Sequence, residues 1–236
     1  MLGKHRLIYL LLTLLLFLPV MVWGCPVQEG PAIPDQPVEE PSPPEEPDDP
    51  PPPPDEVNDR PWIEAHQLEP EKRKTLIIEG MEEEIVLQLQ VSSLYPYAIY
   101  IEEERYRTEE RAEKDYILPR AEVQPEVFMA IWHREDVQIS ALLSEIEEQL
   151  QHQYGPMHVE GPVESPLPAE RLYAISGHDW DDTVERYYLV EDFKDGVFVI
   201  QQKLFIEAVE GHGARFDGML EQFYSWDWQK GQFIQP

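Results

Sequence analysis

Between residues 84 and 91 the chain alternates strictly, with Ile85, Leu87, Leu89 and Val91 on one side and Val86, Gln88 and Gln90 on the other. A period of two marks a strand with one buried face. Residues 75–78, "TLII", precede it across "EGMEE", so the pair predicts a β-hairpin. Further strands are predicted over 97–101, 115–119 and 126–133. The charged stretch 102–115, "EEERYRTEERAEKD", fits either a solvated hairpin or a brief helix. The period then changes. Leu142, Leu143, Ile146, Leu150 and Tyr154 recur at helical spacing over 139–155, while Glu145, Glu147 and Glu148 face away. Ser140 suits the N-cap, and Gly155-Pro156 stops the helix.

Strands resume at 157–163, 171–176, 184–191 and 197–206, with Asp195-Gly196 as a hairpin turn between the last two. A second helix, about 212–224, follows Gly211-His212-Gly213 and carries an apolar stripe of Phe216, Met219, Leu220 and Phe223. The predicted class is α+β: an antiparallel β-sheet with a central helix (about 139–154) and a C-terminal helix (about 212–224) packed on it. Over about 75–225 this order of strand pairs, central helix, meander and closing helix resembles the Mog1/PsbP-like sandwich. The resemblance lies in the order of elements alone, so it implies a fold and transfers no functional residue.

The start of the chain has a different pattern. Lys4 and Arg6 precede an uncharged apolar run from Leu7 to Trp23, 17 residues long, and Gly24 then leads to Cys25. That is the layout of a secretory signal over 1–24, and it is short for a membrane span, which needs about 20 apolar residues. Val22-Trp23-Gly24-Cys25 resembles the signal of bacterial lipoproteins, with Trp23 standing where a small or hydroxylated residue is usual. The resemblance implies that the Cys25 thiol receives a diacylglycerol and that cleavage leaves Cys25 first. Two acyl chains hold a protein durably where one is marginal. An uncleaved signal-anchor is the alternative. Cys25 is also the only cysteine, so no intramolecular disulfide is available.

From Pro26 to Pro61, fourteen of 36 residues are proline, eleven are Asp or Glu, and Arg60 is the only cation. Proline removes amide donors and like charges repel, so residues 25–61 read as a lipidated cysteine followed by a disordered acidic linker. A polyproline-like chain of this length reaches on the order of 110 Å at full extension. One globular domain, 62–236, remains. The whole chain carries a net charge of -29. Such acidity, with no basic cluster after residue 6, excludes nucleic acid and electrostatic adhesion to anionic lipid. The expected partners are the membrane, through the lipid anchor, and an envelope protein or ligand, at the extracytoplasmic face.

Candidate chemistry is sparse. His178-Asp179-Trp180-Asp181-Asp182 gathers three carboxylates and an imidazole, a set that can hold a divalent cation, yet turns between strands also favour Asp. Gly211-His212-Gly213 ahead of a helix offers amide donors to an anion, with Arg215 adding charge, and Glu210 with His212 forms a possible acid–base pair. Against this, glycines also serve simply to turn the chain into the helix. No catalytic or dinucleotide fingerprint is present, and no cofactor is expected. Aromatics on neighbouring strands, among them Tyr95, Tyr97, Tyr100, Tyr106, Tyr116 and Trp132, either line a groove or fill the core. The expected function is a non-enzymatic binding or adaptor domain. An envelope-polymer hydrolase and a divalent-cation-binding protein are the competing readings.

Overall fold

The computed structural model describes residues 60–64, 67–155 and 158–236. The expectations for the leader, for Cys25 and for the linker up to residue 59 lie outside the described residues, as does the helix stop at Pro156. A four-residue helix, α1 (Pro61–Glu64), opens the described chain. The first hairpin joins β1 (Glu71–Ile78) to β2 (Met81–Val91), with Ile78 opposite Met81. Its two turn residues, Glu79 and Gly80, both have positive φ (50° and 79°). That handedness matches the twist of paired strands. β3 (Tyr97–Ile101) follows. The charged excursion is a hairpin: β4 (Tyr106–Arg111) turns through Ala112 and Glu113 into β5 (Lys114–Pro119).

After β6 (Phe128–Glu135), α2 runs over Ile139–Tyr154, as the periodicity predicts. Gln138 rather than Ser140 occupies the N-cap position, without a side-chain cap bond, so Ser140 sits inside the first turn. β7 (His158–Val163), β8 (Ala169–Ile175), β9 (Thr183–Glu191) and β10 (Gly196–Phe205) form the meander. The C-terminal helical segment is a 3-10 turn (Ile206–Ala208), a π turn (Val209–Gly213) and α3 (Ala214–Leu220). It ends before Phe223, which opens β11 (Phe223–Asp227), and β12 (Gln232–Ile234) closes the chain. Phe223 pairs with Ile99 and stacks on Tyr97 at 5.4 Å. Strand pairing thus captures a residue whose spacing alone fits the helix.

The class is α+β with antiparallel pairing throughout, and the strands divide between two sheets. One has the order β1-β2-β3-β11-β12, the other β4-β5-β6-β10-β9-β8-β7. Leu87, Tyr97, Ile99 and Ile101 of the first sheet share a core with Ile117, Met129, Tyr188, Val190, Phe198 and Ile200 of the second. Phe216, Met219 and Leu220 of α3 join the same core. On the opposite face of the larger sheet, Leu142, Ile146 and Leu150 of α2 cover Leu172, Tyr187, Leu189, Val197 and Val199. β9 and β10 are therefore covered on both faces, and their sequences, "VERYYLVE" and "VFVIQQKLFI", carry long apolar runs instead of alternation.

Leu150 is wholly buried while Glu148, on the same helix, is exposed. Leu150→Ala is expected to lower unfolding stability by about 2–5 kcal/mol in urea denaturation. Glu148→Ala is expected to change it by less than about 0.5 kcal/mol.

Candidate binding cleft

The acidic run at 178–182 folds as a turn between β8 and β9 organised by one of its own carboxylates. Asp182 accepts the Asp179 amide at 2.7 Å on Oδ2 and the Ser176 hydroxyl at 2.9 Å on Oδ1. These bonds hold its carboxyl below the ordinary aspartate range. Asp182 also fills the space a side chain at Gly177 would need, since a Cβ there would meet Oδ2 at 2.2 Å. His178, Asp179 and Asp181 are exposed. Among the described residues no three His, Cys, Asp or Glu side chains converge in a metal-holding group. The turn docks on the last helical segment, its Trp180 and Asp182 carbonyls accepting the Glu207 and Ile206 amides.

The glycines at 211 and 213 lie inside the π turn, so a helical segment precedes α3, and the Ala214 amide bonds to the Gly211 and Val209 carbonyls. Arg215 points into protein: Nη1 donates to both Glu102 oxygens at 2.9 and 2.7 Å, and Nη2 pairs with Glu83. Glu102 and Arg215 are both buried. Arg105 adds bonds to Glu102 and Glu83 at 3.1 and 3.3 Å. His212 Nδ1 lies 2.8 Å from the Tyr106 hydroxyl. Burial, with Arg215 and Arg105 nearby, lowers the His212 pKa. Glu210 is exposed, and no hydrogen bond joins it to His212 among the described residues. His212, Arg215, Gly211, Glu207 and Glu83 line a recess of about 390 Å³. In it the guanidinium that sequence offered to an anion is already held by two carboxylates.

A second cavity, about 350 Å³, opens where the two sheets part. It is lined from the first sheet by Gln90 and Val91 of β2, the following Ser92 and Ser93, and Tyr97 and Ile99 of β3. The second sheet contributes Thr108, Glu109 and Glu110 of β4 with Asp115 and Ile117 of β5. Asp115 is the fixed point. It is only 8% exposed, and its Oδ2 accepts the Ser92 hydroxyl at 2.6 Å and the Tyr97 hydroxyl at 2.7 Å. Ser92 Oγ in turn accepts the Leu94 and Tyr95 amides at 3.1 and 3.0 Å, so its donor and both acceptor sites are taken. Burial raises the Asp115 pKa, the two hydroxyls oppose that shift, and Glu110, its partner across the strand pair, adds to it. Burial, then Asp115 itself, raises Tyr97 well above the phenol range.

At the rim, Ser93 Oγ donates to Glu110, while Glu109 is clamped by Arg111 at 2.7 and 2.6 Å. That clamp keeps the Glu109 pKa low. The first described residues of the chain reach this rim as well. Buried Trp62 donates Nε1–H to the Ser92 carbonyl at 3.1 Å, and Arg60 donates to the Ser93 carbonyl at 2.6 Å. None of Ser92, Ser93, Glu110 or Asp115 stood out in sequence, because the groups that meet are separated along the chain and belong to different sheets. The one usable signal is "DYILP", where an acid opens an otherwise apolar strand. No family model, curated protein or solved structure matches this chain.

The recess around Arg215 generates a test of whether its charges are structural. Arg215→Met leaves buried Glu102 with the half-exposed Arg105 as its one cation among the described residues and is expected to cost about 3 kcal/mol of stability. Adding Glu102→Leu removes that buried charge and is expected to recover most of that loss in chemical denaturation. A single variant of unaltered stability contradicts the assignment.

Proposed function

We propose that this chain is a membrane-anchored extracytoplasmic lipoprotein whose folded domain is a non-enzymatic binding module, held off the membrane by its acidic, proline-rich linker. Cys25 carries the lipid, residues 1–24 direct export, and residues 62–236 present the cleft between the two sheets. The observation that carries the binding reading is the state of the cleft's polar groups. Ser92, whose hydroxyl lies 2.6 Å from the Asp115 carboxylate, is saturated by one donated and two accepted bonds, leaving no lone pair for attack. Asp115 is held rigidly by two hydroxyls, which is the preorganisation that recognition needs. Among the described residues no helix is long and apolar enough to cross a membrane, so anchoring in this reading falls to the N-terminus.

A second reading, hydrolysis of an envelope polymer, is favoured by one feature. Asp115 and Glu110 are cross-strand partners, and Asp115 has the raised pKa a general acid requires. Glu110, however, already accepts a hydrogen bond from Ser93. The binding reading therefore ranks first.

The test is fractionation of cells together with mass spectrometry of the mature N-terminal peptide. The expected peptide begins at a diacylated Cys25, and Cys25→Ser is expected to move the protein out of the membrane fraction. A mature N-terminus preceding Cys25 contradicts the anchor and supports an uncleaved signal.

A further inference from the structure

The geometry points to a specific ligand class for the inter-sheet cleft: a small primary alkylammonium ion, its charged head on Asp115 and Glu110 and its alkyl body along Ile99 and Ile117. The inference rests on the binding reading above and names what that site binds.

Three observations carry it. The first is sign. Among the described residues that line the cleft there is no Lys, Arg or His, whereas Glu109, Glu110 and Asp115 are present. Of these, Glu109 is neutralised by Arg111, and among the described residues no salt bridge joins Glu110 or Asp115 to a cation. At the rim, Arg60 donates from Nη1 to the Ser93 carbonyl.

The second is the state of Asp115. The residue is only 8% exposed, and both hydroxyl donors, Ser92 and Tyr97, go to Oδ2. Oδ1 receives no hydrogen bond among the described residues, and the residue lines the cavity. A buried carboxylate with one oxygen clamped and the other open lacks a donor that carries positive charge. The upward shift of its pKa has the same origin, an acid desolvated without a cation beside it.

The third is shape and polarity. The apolar walls are Val91, Ile99, Ile117 and the Tyr97 ring, polar Gln90, Ser92, Ser93 and Thr108 complete the lining, and the volume of about 350 Å³ is that of a small-ligand pocket. A bare metal ion would leave this apolar surface unused, and it would find no third carboxylate or imidazole in a metal-holding group among the described residues. An ammonium with an alkyl tail satisfies both ends. Its three N–H donors suit two carboxylates and a hydroxyl such as that of Thr108, and its methylenes cover the two isoleucines.

The experiment is a nuclear magnetic resonance titration of the full-length, nitrogen-15-labelled protein at constant ionic strength. Hexylammonium chloride is the probe, with 1-hexanol and sodium hexanoate in parallel. Hexylammonium is expected to shift the amides of residues 90–93, 108–110 and 115–117 saturably, and at least tenfold more tightly than hexanol. Hexanoate is expected to leave those amides unmoved. Asp115→Asn keeps an acceptor for Ser92 and Tyr97 and is expected to weaken hexylammonium binding about tenfold or more. Glu110→Gln, on an exposed position of β4, is expected to weaken it severalfold and supplies the second variant if Asp115→Asn does not fold. Equal binding of hexanol refutes the ammonium assignment while leaving the cleft a binding site. Absence of shifts with every probe overturns the proposal, and the state of Cys25, read separately by mass, is unaffected by either result.

Discussion

The hydrogen bonds from Ser92 and Tyr97 to Asp115 are the constraint on which the functional end of this domain depends. Tyr97 belongs to the smaller sheet, Ser92 to the loop that follows β2 of that sheet, and the acceptor to the larger one. A carboxylate buried at that position is costly unless donors compensate it, and these two hydroxyls are the compensation. They also fix where the sheets part, because Tyr97 packs against Phe198 of the larger sheet at 5.9 Å and Phe223 of its own at 5.4 Å. The apolar core closes behind this contact and the cleft opens in front of it. At the α3 end, a second polar clasp does related work. Arg215 ties that helix to Glu102 and Glu83, and Tyr106 of the larger sheet meets His212.

The clasp is also the point reached by the first described residues of the chain, Arg60 and Trp62. Trp62 is buried against Ala98, Trp226 and Phe233 on the outer face of the smaller sheet. Its indole N–H reaches the carbonyl of Ser92, the residue whose hydroxyl orients Asp115. Arg60 does the same for Ser93, whose hydroxyl bonds Glu110. Arg60 and Trp62 thus meet the cleft through two consecutive residues. An indole buried with its donor satisfied is a well-determined attachment. Residues 60–62 are therefore bonded directly to the residues that line the cleft.

Much of the fold was legible in the sequence. The 3.6-residue period located α2, and the period of two located β2. The boundary at the C-terminus was not, because Phe223 continues the helical stripe and only its pairing with Ile99 makes it a strand. The division into two sheets was hidden for a related reason. Alternation reports that a strand has a buried face, not which sheet supplies the cover. In the candidate sites the contrast is sharper. His178 to Asp182 and Glu210 to Arg215 are conspicuous as clusters, yet folding spends Asp182 on its own turn and Arg215 on Glu102 and Glu83. Asp115 is inconspicuous among 47 acidic residues, and only the long-range approach of Ser92 and Tyr97 distinguishes it.

The measurement that tests this account most directly is the titration of the Asp115 side chain in the folded, full-length protein, followed through its carboxyl carbon-13 resonance. A buried, cation-free carboxylate has its midpoint above the ordinary aspartate value of 3.8. With the folded pKa raised, folding favours the protonated form. Its contribution is then most favourable below the ordinary value and is lost as pH rises through the raised one. A midpoint above 3.8, absent from the spectrum of Asp115→Asn, is the result predicted. A midpoint at or below it would mean that a cation or further donors already compensate Asp115, and the cleft would then have no open carboxylate to offer.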